Sequence, residues 1–202
     1  MAKFRDESTQ QDLLKQETTT ARQLRVNAAR FAPGANAQGI VNAMILEAQK
    51  SKIRHVNGVT LPTSAARLLA DARRNDLKHS VILAFNMGEA NNDRPKGVAA
   101  HHIVSRKPAL AHPSQTLLFA WGIGINDVDN GVYLPRFAKT VVPSLPHASK
   151  HSKIHTGVYH LAVFERLVEV RKQPSGVGRE VLRGIKAELE ADTFPYRPED
   201  IE

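Results

Sequence analysis

At 202 residues and 22.3 kDa, the chain is long enough to bury a real core, which points to one domain or one with a short extension. Apolar residues at 42% and charged residues at 24% exclude a collagen-like or wholly disordered chain, and the absence of cysteine excludes disulfides, thiolate zinc sites and cysteine nucleophiles. Lys and Arg number 28 against 20 Asp and Glu, a net charge of +8, and no apolar run approaches the ~18 residues of a membrane span.

The N-terminus, Met1-Ala2-Lys3-Phe4-Arg5-Asp6-Glu7, turns acidic where a signal peptide would carry its apolar segment. From Glu7 to about Ala29 the sequence is polar with few apolar anchors, a solvated helix or loose arm that Pro33-Gly34 breaks. Ile40, Val41, Met44, Ile45 and Ala48 recur at helical spacing and predict an amphipathic helix from Asn36 to about Arg54, ended by Asn57-Gly58. Thr63 or Ser64 is placed to cap a helix through Arg74, with Ala66, Leu69 and Ala70 as its buried face. Asp76 is placed to cap another, on which Leu77, Val81 and Phe85 fall at i, i+4, i+8 before Gly88 stops it. The turn cluster Asn91 to Pro95 is the candidate boundary.

Beyond it the reading is mixed. Gly97 to Val104 is short and β-compatible, Pro113 to Trp121 is helical, and Gly131 to Leu134 is a strand halted by Pro135. A long helix is expected from Lys150 to Lys172, with Ile154, Val158, Leu161, Phe164, Leu167 and Val168 as its stripe. Pro174-Ser175-Gly176 breaks it, and a charged helix runs from about Arg179 to Ala191. The fold class is therefore α+β: a helical N-terminal region over residues 1–90 and a second unit over 91–202 that closes with a terminal helix and acidic tail, 179–202.

Charge and histidine concentrate in the middle. From Asn91 to Arg179 there are 12 basic against 5 acidic residues and 7 of the 9 histidines, while Glu180 to Glu202 holds 7 acidic against 3 basic. A basic block of this kind favours polyanionic partners, nucleic acid or an acidic protein.

Three pieces of that block stand in an order that can carry chemistry. His101-His102 closes the segment Gly97-Val98-Ala99-Ala100, Asn130-Gly131 introduces the next strand, and His147, His151 and His155 follow at four-residue steps. On a helix, i and i+4 place two imidazoles on one face, where both reach one cation. Neighbouring residues on a strand point to opposite sides, so His101 and His102 take different jobs. A cation to stabilise charge beside a base to activate water is the division that phosphodiester hydrolysis needs.

Ala100-His101-His102-Ile103-Val104, then Gly124 to Pro135 with Asn130-Gly131 inside it, then His151-Ser152-Lys153-Ile154-His155-Thr156-Gly157-Val158-Tyr159 resemble the AHH nuclease family of the HNH/endonuclease VII superfamily. The likeness runs over roughly 94–170. It implies a ββα-metal, HNH-like nuclease core embedded among helices. It also implies a hydrolase that cuts nucleic-acid phosphodiester bonds with one divalent ion (Mg, Mn, Ni or Zn), DNA placed ahead of RNA. Carried over, His101 is a metal ligand, His102 the general base, and Asn130 the residue that braces the loop and helps orient that base. His151 and His155 complete the metal site, with His147 an alternative to His151. Tyr159 packs against the site or donates to phosphate, and Arg106, Lys150 and Lys153 hold phosphates.

Nucleases resembling this family often form the toxic end of bacterial competition systems. The resemblance then adds an acidic immunity protein as partner and residues 1–90 as a loading or delivery region. Without a signal peptide or membrane insertion, such a protein stays in the producer's cytoplasm or is secreted or injected into target cells. The alternative from another class is a non-catalytic basic module that binds nucleic acid or an acidic protein and uses its histidines for a structural metal. Taken singly, the histidines read as surface residues or a zinc clip, and Asn130-Gly131 as a turn. Other motifs fail: Gly122-Ile123-Gly124 has Asp127 where a dinucleotide loop needs its third glycine, and Asp127 to Gly131 places its glycine one position early for a calcium hand. With a base of unperturbed pKa, activity is expected to fall below about pH 6.5.

Overall fold

The computed structural model describes residues 51–56, 59–88 and 94–201; the arm from Glu7 to Ala29 and the predicted helix from Asn36 as far as residue 50 lie outside them. Two antiparallel hairpins and five α-helices make an α+β fold among the described residues. The first hairpin pairs β1 (Ser51–Val56) with β2 (Val59–Ser64). This corrects the end of the helix expected to run to Arg54 and puts strands in a region read as helical. Asn57-Gly58, read as a helix stop, lies between the two strands, where such a pair favours a tight turn.

α1 (Ala65–Arg73) starts where Ser64 accepts the Arg67 N–H at 3.3 Å. Its buried residues are Ala65, Leu68 and Ala72, not the expected Ala66, Leu69 and Ala70. α2 (His79–Asn86) has no side-chain cap: it starts later than expected, with Lys78 at the cap position, and Asp76 is ion-paired with Arg74. Its predicted stripe is the outer one: Val81 and Phe85 are 55% and 51% exposed, whereas His79, Leu83 and Ala84 are buried. Gly88 ends it at φ +107°, a conformation that costs glycine little.

The second hairpin carries the site. β3 (Val98–His102) pairs with β4 (Gly131–Pro135) so that His101 lies opposite Val132 and His102 opposite Gly131. A Cβ on Gly131 would fall 2.4 Å from Met87 Sδ and 2.8 Å from Leu83 Cδ1, so any larger residue would force these side chains to shift. Between the strands runs α3 (His112–Ala120), buried along nearly its whole length. After β4, an irregular segment leads to α4 (Gly157–Glu169), which packs against α3, and α5 (Ser175–Glu190) closes the core.

One hydrophobic cluster joins Leu68 of α1, Leu118 of α3, Val132 and Leu134 of β4, Tyr159 and Leu167 of α4, and Leu182 of α5. α1 is thus part of the cluster that holds the second hairpin. The long helix expected from Lys150 begins only at Gly157, where Thr156 accepts the Tyr159 N–H.

Candidate metal centre and cleft

Strand alternation sends His101 inward, 1% exposed, and leaves His102 half-buried. His151 and His155 come to His101 from the segment before α4, not from a helix face. That segment is fixed at several points. The His151 N–H donates to Pro135 O at the end of β4 (2.9 Å), Ser149 N–H to Leu189 O of α5 (2.9 Å), and Lys153 N–H closes a turn on Lys150 O (2.8 Å). Ile154, wholly buried, anchors the turn in the core. The result brings His151 Nε2 within 3.3 Å of His155 Nε2, and ligand nitrogens of His101, His151 and His155 all lie within 4.8 Å of one another. The three ring centroids are 4.9 to 5.3 Å apart, edge to face. His147 is exposed and outside this cluster.

The rings are held neutral. Burial, with the other histidines adding to it, pushes His101 well down, and burial and His155 bring His151 down to about 4. Tyr159, fully buried, donates its hydroxyl hydrogen to Ile103 O at 2.8 Å, so His101 Nε2 must donate to the phenol oxygen, also at 2.8 Å. Nδ1 of His101 is then the bare nitrogen, the form in which imidazole binds a metal. Tyr159 is thus corrected as a phosphate contact: its ring has no accessible surface and its hydroxyl is engaged on both sides.

Three neutral imidazoles that converge fit a divalent ion. An all-nitrogen donor set suits Zn²⁺ or Ni²⁺ better than Mg²⁺, which prefers oxygen.

Asn130 is wholly buried. Its Oδ1 accepts from Val104 N–H (2.7 Å), and its Nδ2 donates to Ile125 O (2.9 Å) and Val104 O (3.3 Å). It braces the two loops that leave β3 and enter β4, but its side chain does not meet His102. The amide that does is Asn126, whose Oδ1 lies 3.0 Å from His102 Nε2. Burial pushes His102 down to about 4 despite that hydrogen bond. A base at this position would carry the acid limb below the expected 6.5.

His101, His102, His151 and His155 line one cleft of about 460 Å³. Lys78, Arg106 and Lys107 line it too, and among the described residues no carboxylate does. Arg106 is braced by donating to Ala72 O and Asn75 Oδ1, both at 3.2 Å. Lys150 lies outside the cleft lining and donates to Thr140 O at 3.0 Å, and Lys153 is an exposed residue that does not line the cleft. Lys78, Lys107, His79 and Asn126 were not singled out by sequence. Asn126 lies inside the matching segment but is masked there by Asn130, and no spacing points to the two lysines or to His79.

Residues 82–189 match AHH, a nuclease family of the HNH/ENDO VII superfamily with conserved AHH. The match covers more than half of the chain, and the protein belongs to this family. None of the curated proteins and none of the solved structures matches it. The family's activity makes nucleic acid the substrate class. Among the described residues no helix is long and apolar enough to cross a membrane.

Proposed function

We propose that this nuclease is a divalent-metal-dependent endonuclease that hydrolyses DNA, with His102 as general base and His101, His151 and His155 as metal ligands. The observation that carries the reading is the convergence of three imidazoles within 4.8 Å beside a fourth, in a cleft whose charged lining among the described residues is Lys78, Arg106 and Lys107. A divalent ion held there would supply Lewis-acid stabilisation of the charge that builds on the phosphorane and leaving oxygen. His102 takes a proton from the attacking water. Lys78, Arg106 and Lys107 draw the phosphates into the cleft and hold them. Tyr159 orients His101, and Asn130 holds the chain on both sides of the hairpin so that the two histidines keep their places.

A toxin role follows the family resemblance. A cell that makes such an enzyme needs an inhibitor, and the net charge of +8 calls for an acidic one. Residues ahead of the first hairpin would then serve loading or delivery.

Supercoiled plasmid incubated with Mg²⁺, Mn²⁺, Ni²⁺ or Zn²⁺, with EDTA and His102→Ala controls, tests the enzyme directly. Metal-dependent nicking that vanishes in the variant is expected, together with slower cutting of an RNA of matched length. Plasmid left intact in every metal yet retarded on the gel would favour the non-catalytic binding module.

A further inference from the structure

His102 is the end of a chain of hydrogen bonds whose direction is set at its far end. His79 Nε2 lies 2.8 Å from Arg74 O. A carbonyl only accepts, so Nε2 carries the proton and Nδ1 of the neutral ring is an acceptor. Both amide atoms of Asn126 come near that Nδ1, the nitrogen at 3.0 Å and the oxygen at 3.3 Å. Only the nitrogen can donate to it, which turns the Asn126 oxygen toward His102 Nε2, 3.0 Å away. His102 must then donate from Nε2, and Nδ1 is its bare nitrogen. The Asn126 backbone is held as well: its carbonyl accepts from Asn86 Nδ2 at 2.6 Å.

We propose that His79 and Asn126 are positioning residues that fix the tautomer of His102, keeping Nδ1 unprotonated as the nitrogen that receives the proton from water. The inference rests on His102 being the base. It adds a residue, His79, that lies outside the matched span 82–189. His79 is 5% exposed on the buried face of α2, with both ring nitrogens engaged by Arg74 O and Asn126. Without His79 the Asn126 amide is free to rotate by half a turn and offer its NH₂ to His102. That orientation selects the opposite tautomer.

The test is a long-range ¹H–¹⁵N correlation of the histidine rings in metal-free, ¹⁵N-labelled full-length protein at pH 7.5, with His102 assigned by the loss of its signals in His102→Gln. Wild type is expected to show His102 protonated at Nε2 and bare at Nδ1. In His79→Phe the ring becomes a mixture or inverts. Its kcat falls roughly tenfold or more, as for other wrong-tautomer variants, at unchanged KM and metal content. His79→Gln, whose amide oxygen accepts from Asn126, restores both tautomer and rate. A wild-type His102 protonated at Nδ1 overturns the proposal without any variant, and so does an unaltered tautomer in folded His79→Phe. Because this readout needs no turnover, a correct tautomer beside an active His102→Ala would sink the assignment of the base and leave the relay standing.

Discussion

Tyr159 spends its single hydroxyl hydrogen on Ile103, and the phenol oxygen is left to receive the Nε2 proton of His101. Tyr159→Phe removes that acceptor and frees the ring to turn, so affinity for Zn²⁺ should fall about tenfold. Calorimetric titration measures it, with KM for DNA unchanged. A raised KM with intact metal affinity would restore the phosphate-contact reading.

The same crowding of rings makes the fold sensitive to acid. Burial brings His102, His151 and His160 each down to about 4 in the folded protein, against about 6.5 in an unfolded chain. Between those values the unfolded chain binds more protons. Stability is therefore fully present above pH 6.5 and is lost as pH falls toward 4. Thermal midpoints of the metal-free protein should be flat from pH 8 to 7 and drop by several degrees by pH 5. A midpoint that rises over that interval would contradict the burial of these rings.

Strand alternation made the different settings of His101 and His102 legible, and the turn chemistry of Asn130-Gly131 placed the start of β4. His79 was not legible, because its partner Asn126 is 47 residues away in sequence.

At the scale of elements, α5 is tied to the loop before β4 through Arg179. Its guanidinium meets both oxygens of Asp127 at 2.9 Å and Asp129 at 2.6 Å, and Asp127 has no exposed side-chain surface. The carboxylates that failed as a calcium hand are therefore structural anchors, and they flank the segment that leads into Asn130. Arg179→Met leaves a buried carboxylate unpaired, so a loss of about 3–5 kcal/mol is expected, read from the urea midpoint. A loss below about 1 kcal/mol would place the pair among surface bridges of small worth.

Helix periodicity gave mixed guidance at this scale. Two apolar sets compete on and beside α2, Leu77/Val81/Phe85 and Leu83 with Met87. Which of them faces inward is decided by the glycine opposite, Gly131, which admits Met87 and Leu83. The four-residue step of His151 and His155 suggested a helix face, yet a turn anchored by Ile154 brings both rings to one point. Spacing predicted the meeting and not the element, because the tie of His151 to Pro135 and of Ser149 to Leu189 is tertiary.

Over the whole molecule, the central basic block supplies Arg106 and Lys107 to the cleft, and Lys78 joins them from just before α2. Binding of DNA by these groups releases counterions, so affinity should fall steeply between 50 and 200 mM salt. Lys78→Ala and Lys107→Ala should each lower the slope of log K against log salt by about one. Fluorescence anisotropy with a labelled duplex in EDTA measures this, and slopes equal to wild type would move the phosphate track elsewhere.

The measurement that bears most directly on the division of labour in the cleft is bound Zn²⁺ per chain, taken with plasmid nicking, in wild type, His102→Ala and His155→Ala. One ion and nicking are expected in wild type, one ion without nicking in His102→Ala, and weakened retention of the ion with lost nicking in His155→Ala. His102→Ala that cuts at the wild-type rate, or His155→Ala that keeps its ion as tightly as wild type, would contradict this division of labour.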